Sequence, residues 1–356
     1  MHRSLLSSAL AATLAFSTAH AAEQFAPYVA RTHARPLVAV IGENSGTELT
    51  DFVIPFAVLQ RSGAVDTVAV ATRPGEMRIR PALRLQPEFD VARFDAQYPE
   101  GADYVIVPAI VRRDDAALLE WVRTQHAKGA MIVSICDGAL VVANSGVLDG
   151  HRATAHWATE SHRRQAYPQI TWVANTRYVV DGRVASTSGI SASIPASLAL
   201  LESIAGSEVA HDVGASFGVT AWSPEHNSDK FKPHAGNLLA FAKVTATNRW
   251  FHSRERLGVA MQPGMDDVAL ALAADAWSRT GRSEAYGVSA DSQVRGRAGL
   301  VWLPDSATAP AASKRIDATA PHGVPLFDAV LAAIEGRYGR STAKGVALDF
   351  EYPWHR

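Results

Sequence analysis

The stretch Met131-Ile132-Val133-Ser134-Ile135-Cys136-Asp137-Gly138-Ala139-Leu140 holds the one cysteine of the chain. Its apolar first half predicts a buried strand, and its small residues after Cys136 predict the start of a helix. A strand that turns sharply into a helix presents the turn residue at the carboxyl edge of a sheet, where open α/β sheets place their ligands. Gly138 is expected to let the backbone bend tightly, and the helix amino end to favour a negatively charged sulfur. A lone cysteine in another context reads as a small hydrophobe. Here the elbow-like setting, familiar from serine nucleophiles, makes Cys136 a candidate nucleophile.

Upstream of that stretch, short apolar runs alternate with helical patterns. Leu37 to Ile41 reads as a buried strand ending at Gly42, and Asp51 to Ser62 as an amphipathic helix closed by Gly63. Val68 to Ala71 and Tyr104 to Val107 read as further strands, and Ala116 to Ala127 as a helix stopped by Gly129. Downstream, a strand is expected near Val184-Ala185-Ser186 and a helix from Pro195 to Ile204, with Ser193 as its candidate cap. Such alternation implies parallel pairing with right-handed crossovers, hence an α/β fold with a doubly wound, mostly parallel sheet.

The carboxyl-terminal part echoes this pattern in shortened form. Leu257 to Met261 resembles the first strand, and Arg279-Thr280-Gly281 falls where Arg61-Ser62-Gly63 does. Leu300-Val301-Trp302-Leu303-Pro304 matches Tyr104 to Pro108, and Val324-Pro325 with the helix to Tyr338 matches Ile194-Pro195. No counterpart of the Cys136 segment occurs. The expected organisation is therefore a leader at 1–21, an elbow-bearing domain at 35–205, a connecting segment at 206–252, and a degenerate α/β repeat at 253–356. The run Trp222 to Asn227 reads as a loop.

Composition sets the outer limits. With 356 residues, 47% hydrophobic and 19% charged, the chain reads as about two packed globular domains. A formal net charge of -1 gives no global field directed at nucleic acid or an anionic membrane. Met1-His2-Arg3, an apolar run from Leu5 to Phe16 and Ala19-His20-Ala21 read as a secretory signal, so a periplasmic or secreted location is expected. No later run reaches the ~18 apolar residues of a membrane anchor. His20, His151, His162, His211, His226, His234, His252, His322 and His355 show no metal-ligand spacing, so neither metal nor other cofactor is expected.

Several blocks in order carry a family resemblance. They are Trp121-Val122-Arg123 ahead of Gly129, Ser134 to Ala139, Gly146-Val147-Leu148-Asp149-Gly150, Arg152 to Trp157, Asp181-Gly182-Arg183, and Thr187-Ser188-Gly189-Ile190. Residues 35–205 thereby resemble the DJ-1/PfpI superfamily, of the class I glutamine amidotransferase-like (flavodoxin-like) fold. Within it they are most similar to the branch of isocyanide hydratase and the sensor halves of AraC-type regulators. The resemblance implies that Asp51, in the first turn of its helix, approaches the Cys136 sulfur and lowers its pKa by donating a hydrogen bond. It also implies homodimer formation.

Three positions depart from the family pattern. Asp137 stands where protease-like members carry histidine and hydratase-like members threonine. Ala109-Ile110 replaces the glycine pair that offers an amide to an oxyanion. Pro195 replaces a frequent aspartate. The expected site is thus Cys136, Asp51 and Asp137, with backbone amides near Ala109, Ile110 and Asp137 for charge, and His156 as an acid or base candidate whose simpler reading is a packed side chain beside Trp157. The leading functional expectation is hydratase- or hydrolase-type addition to a small electrophilic carbon. The competing one is a non-catalytic ligand sensor without a DNA-binding part, since the carboxyl-terminal region does not read as a helix-turn-helix. Oxidative sensing through sulfenic acid, without a resolving cysteine, ranks below both.

Overall fold

A computed structural model describes residues 23–31, 33–320 and 324–354. The expected leader at 1–21 lies outside the described residues. Strand β1 (Leu37–Gly42) is wholly buried and leads into α1 (Leu49–Arg61), then β2 (Asp66–Ala71). A hairpin of β3 (Met77–Arg80) and β4 (Arg84–Gln86) precedes the short β5 (Phe89–Asp90). Next come β6 (Tyr104–Val107), α2 (Ala116–Ala127), β7 (Met131–Ser134) and α3 (Gly138–Asn144). An antiparallel pair, β8 (Tyr178–Asp181) and β9 (Val184–Thr187), is followed by α4 (Ser193–Ala205) and α5 (Ser207–Ser216).

These strands form one sheet in the order β8-β9-β7-β6-β1-β2-β5, parallel throughout except for β8. The strands at its centre, β1 and β6, are buried along their whole length, as parallel strands covered on both faces must be. The expected α/β architecture is therefore present, with Cys136 just past the carboxyl end of β7.

Two expected boundaries move. The first unit begins before Arg35, because Phe25 is buried in its core and Glu23 accepts the Val180 amide at 2.8 Å. It also extends past 205, since α5 packs on α4 across the single residue Gly206. Ser193 is the first residue of α4 rather than its cap, and its buried hydroxyl has no partner.

The second unit contains β10 (Glu255–Ala260), α6 (Asp267–Arg279), β11 (Ser283–Val288), β12 (Val294–Arg295), β13 (Val301–Trp302), β14 (Arg315–Ile316), α7 (Leu326–Tyr338) and α8 (Arg340–Asp349). Strand β10 lies between β11 and β14, parallel to both, as β1 lies between β2 and β6. The turns between the paired helices agree as well. Gly206 between α4 and α5 has φ 87°, and Gly339 between α7 and α8 has φ 86°, a left-handed region that favours glycine.

The match of Leu300–Pro304 to the third strand is corrected. Val301–Trp302 pairs antiparallel with its neighbour β12 and, across the units, with β4, and Arg315–Ile316 occupies the flanking place instead. An apolar run does not by itself reveal its strand partners. Here Gly299, with φ 96°, turns the chain back as a hairpin, and the Trp302 indole donates to Asp267 at 2.7 Å. The resulting sheet crosses from one unit to the other.

Helix α1, expected to be amphipathic, is buried from Leu49 through Leu59. One side faces the sheet and the other packs on α6. A helix apolar on all sides belongs inside a protein, and the second unit supplies the missing cover.

Candidate functional site

The elbow owes its shape to two residues with separate tasks. Cys136 itself takes the left-handed conformation, at φ 54°, which is uncommon for a side chain with a Cβ and costs roughly 1–3 kcal/mol. Gly138 is needed for space rather than for its φ. A Cβ there would lie 2.0 Å from the Val107 carbonyl oxygen and 2.8 Å from Pro108 backbone. The Ile135 amide donates to the Val107 carbonyl at 2.9 Å, and the Gly138 amide donates to the Ile135 carbonyl at 2.8 Å, closing the turn. The Cys136 amide donates to Thr187 Oγ1 at 3.0 Å, so β9 holds the elbow from the side.

Asp51, Glu48 and Asp137 surround the thiol electrostatically. Asp51 is fully buried; its Oδ2 accepts the Ala109 amide at 3.2 Å, and its Oδ1 has no partner. Burial, reinforced by the nearby Asp275 and Asp137, pushes the Asp51 carboxyl well above its usual range. Cys136 is 8% exposed, and its thiol moves the same way. Burial is the chief cause, followed by the charges of Asp51, Asp137 and Glu48, which outweigh the Asp137 backbone amide directed at the sulfur. The expected lowering of the thiol pKa is therefore reversed. A sulfur among carboxyls in a dry site holds its proton.

The other expected roles change with it. The Ala109 amide is taken by Asp51 and is not free to receive an oxyanion. The loop 109–111 is tied to 46–48 by Glu48 N–H to the Ala109 carbonyl and Val111 N–H to the Gly46 carbonyl, both 2.9 Å, with Ile110 buried between. Asp137 turns its side chain away from the helix it precedes and accepts the Thr159 hydroxyl at 2.7 Å.

His156 is not aimed at the sulfur as a base. Its Nδ1 accepts the Ala158 amide at 3.3 Å and its Nε2 faces the Asp349 carbonyl at 3.1 Å, an arrangement that assigns the proton to Nε2. Among the described residues, no group of three or more His, Cys, Asp or Glu side chains is placed to hold a metal ion.

A cavity of about 350 Å³ opens beside the elbow, walled by Ala109, Ile110, Asp137 and Leu140 on one side and Glu48 and Arg80 on the other. Cys136 and Asp51 are not among its walls. Asp137, the chain neighbour of Cys136, and Ala109, whose amide Asp51 accepts, do line it.

Sequence reasoning missed Glu48, Asp275 and Arg279. Arg279 bonds Asp275 and Asp349 at 2.6 Å each and also Glu48, while Thr50 donates to Asp275 at 2.9 Å. Burial raises the Glu48 carboxyl well above its usual range, with Arg279 opposing and Asp275 and Asp51 adding to the rise. A signal was available: Arg279 occupies the echo position of Arg61, and such an arginine at a helix end looks for acids at a facing helix start.

Comparison with known proteins identifies relatives of the first unit. Residues 37–203 match the DJ-1/PfpI family. The chain is 30% identical over 116 residues to the HTH-type transcriptional regulator CdhR of Pseudomonas aeruginosa, covering 33% of this chain and 34% of that protein. It is 33% identical over 98 residues to isonitrile hydratase of Pseudomonas putida, covering 27% and 41% respectively. The chain thus spans between a third and about two-fifths of the length of these curated relatives. The crystal structure of Drosophila melanogaster DJ-1beta aligns with 52% of this chain and 98% of its own, at 21% identity and a TM-score of 0.47.

Proposed function

Because residues 37–203 form a DJ-1/PfpI domain, we propose that this chain is an exported small-molecule receptor in which the elbow cysteine is a neutral thiol rather than a nucleophile. One observation carries the reading: Asp51 takes the Ala109 amide through Oδ2, and burial favours the protonated form of both Asp51 and Cys136. A protonated thiol is a poor nucleophile, and an amide already bonded to the Asp51 carboxyl is not free to stabilise a new negative charge. The cavity beside Asp137 gives a ligand room without covalent attack. Export rests on the Met1–Ala21 pattern, and the second unit is read as a degenerate copy that takes the place of a partner subunit.

The test is alkylation of Cys136 by iodoacetamide between about pH 6 and pH 10. The receptor reading expects slow labelling at neutral pH that accelerates only above the range of a free thiol. Fast labelling at neutral pH would refute it.

A second reading, hydration or hydrolysis at a small electrophilic carbon, is favoured by the Asp137 backbone amide directed at the sulfur. In it, the Cys136 sulfur would bond to the isonitrile carbon while a proton passes through Asp51 to that carbon, and water would then add to the carbon, break the C–S bond and leave a formamide and the restored thiol. Steady turnover of an isonitrile, abolished in Cys136→Ser, would establish this reading over the first.

A further inference from the structure

A second cavity, of about 740 Å³, lies between the β3–β4 hairpin of the first unit and the segment 244–256 with the α6–β11 turn of the second. It adjoins the elbow cavity through Glu48 and Arg80 but reaches neither Ala109 nor Asp137. Its walls carry seven arginines against four carboxylates, a surplus of three positive charges in a chain whose net charge is -1.

The pairing within the cavity is uneven. Arg279 is committed to Glu48 and Asp349, and Arg84 to Asp305 at 3.1 Å. Arg256 sits over the Tyr286 ring, with its Cζ 4.6 Å from the ring centre, and Arg78 comes no closer than 4.0 Å to Glu76. The side chains of Arg80, Arg249 and Arg254 form no ion pair or hydrogen bond among the described residues. They come from two walls, Arg80 from the hairpin and the other two from the segment ahead of β10. Guanidinium forks left open in a concave site repel one another until an anion enters, and they match phosphate and carboxylate oxygens two at a time.

We propose that this groove binds a small organic polyanion bearing at least two phosphate or carboxylate groups, one for each wall. The ligand would bridge the two units, so its binding free energy would also hold them together. This groove shares Glu48 and Arg80 with the elbow cavity but lacks Cys136, and its binding does not depend on the state of that thiol.

Isothermal titration of the full chain with inorganic pyrophosphate and with citrate tests the proposal, with glycerol as the uncharged control. At least one anion should bind with a dissociation constant on the order of 10–100 μM at low salt, and added salt should weaken it. Binding of pyrophosphate alone identifies a phosphate ligand, and of citrate alone a carboxylate ligand. Arg254→Ala and Arg80→Ala should each weaken the anion about tenfold or more, while Cys136→Ser should bind as wild type. Arg254 is exposed, so its variant keeps the fold even if the hairpin variant does not. No binding of either anion below about 10 mM, or unchanged binding in Arg254→Ala, would overturn the proposal.

Discussion

Arg61, the last residue of α1, meets Asp266, the residue capping α6, at 2.7 Å. The contact is repeated in reverse where Arg279, the last residue of α6, meets Glu48 just ahead of α1. The two helices therefore run antiparallel, and each presents a cation at its carboxyl end to an acid at the other's amino end, which suits both helix dipoles. The pairs are alike in place but unequal in surroundings, because only Arg279 also serves the fully buried Asp275.

Removal of Arg279 should thus cost far more than removal of Arg61. Arg279→Ala leaves Asp275 buried without its partner and is expected to destabilise the fold by about 3 kcal/mol. Arg61→Ala, at a half-buried pair with no fully buried acid left behind, should cost about 1 kcal/mol. Urea unfolding midpoints of the two variants check the difference.

Asp51 should oppose stability at neutral pH. Its folded pKa is raised, so the native state keeps a proton that the unfolded chain gives up. The stability tied to that proton is complete below the ordinary carboxylate range and is lost as pH rises toward the folded value. Asp51→Asn retains an oxygen for the Ala109 amide. It should stabilise the protein on the order of 1 kcal/mol at about pH 8 and have almost no effect at about pH 3. Thermal melts at the two pH values decide this.

Glu351 behaves in the opposite sense. Its fully buried carboxylate accepts from His226 Nε2 at 2.5 Å, Ser228 Oγ at 2.8 Å and the Gly189 amide at 3.2 Å. Burial alone would raise its pKa, but the bond from His226, the nearby His156 and the Ser228 hydroxyl outweigh burial and lower it. Its contribution is present above the ordinary glutamate range and lost as pH falls through the folded value. Glu351→Ala should cost about 3 kcal/mol at neutral pH, and the gap to wild type should narrow below about pH 4. Denaturant titrations across that range measure it.

Gly138→Ala should damage the elbow directly. The added methyl has backbone on the opposing side, with the Val107 carbonyl 2.0 Å away, so no flexible side chain can yield. A loss of roughly 3 kcal/mol is expected, together with faster alkylation of Cys136 as the turn opens. Circular dichroism melts and labelling rates report the two effects.

Much of the first unit was legible from local pattern. The runs at Leu37, Val68, Tyr104 and Met131 became parallel strands at close to their expected limits, because a buried parallel strand is a short apolar run bounded by turn residues. The helix over Ala116–Ala127 has the limits expected of it. The placement of Val301–Trp302 was not legible, since its partner β4 lies more than two hundred residues earlier. At the site, the elbow was visible in Cys136 and its neighbours. The charge state was not, because it depends on how little water reaches the acids at the start of α1 and at Asp137 once the chain is folded.

The sequence by itself determined the strand-to-helix bend at Cys136 and the repeated Arg-x-Gly ends of α1 and α6, since both follow from local sterics and hydrophobic period. Tertiary structure alone decided that α6 covers the outer face of α1, that Asp51 bonds the Ala109 amide, and that the thiol sits dry among acids. Those outcomes depend on desolvation and on charge-to-charge distance, which the order of residues along a chain does not state.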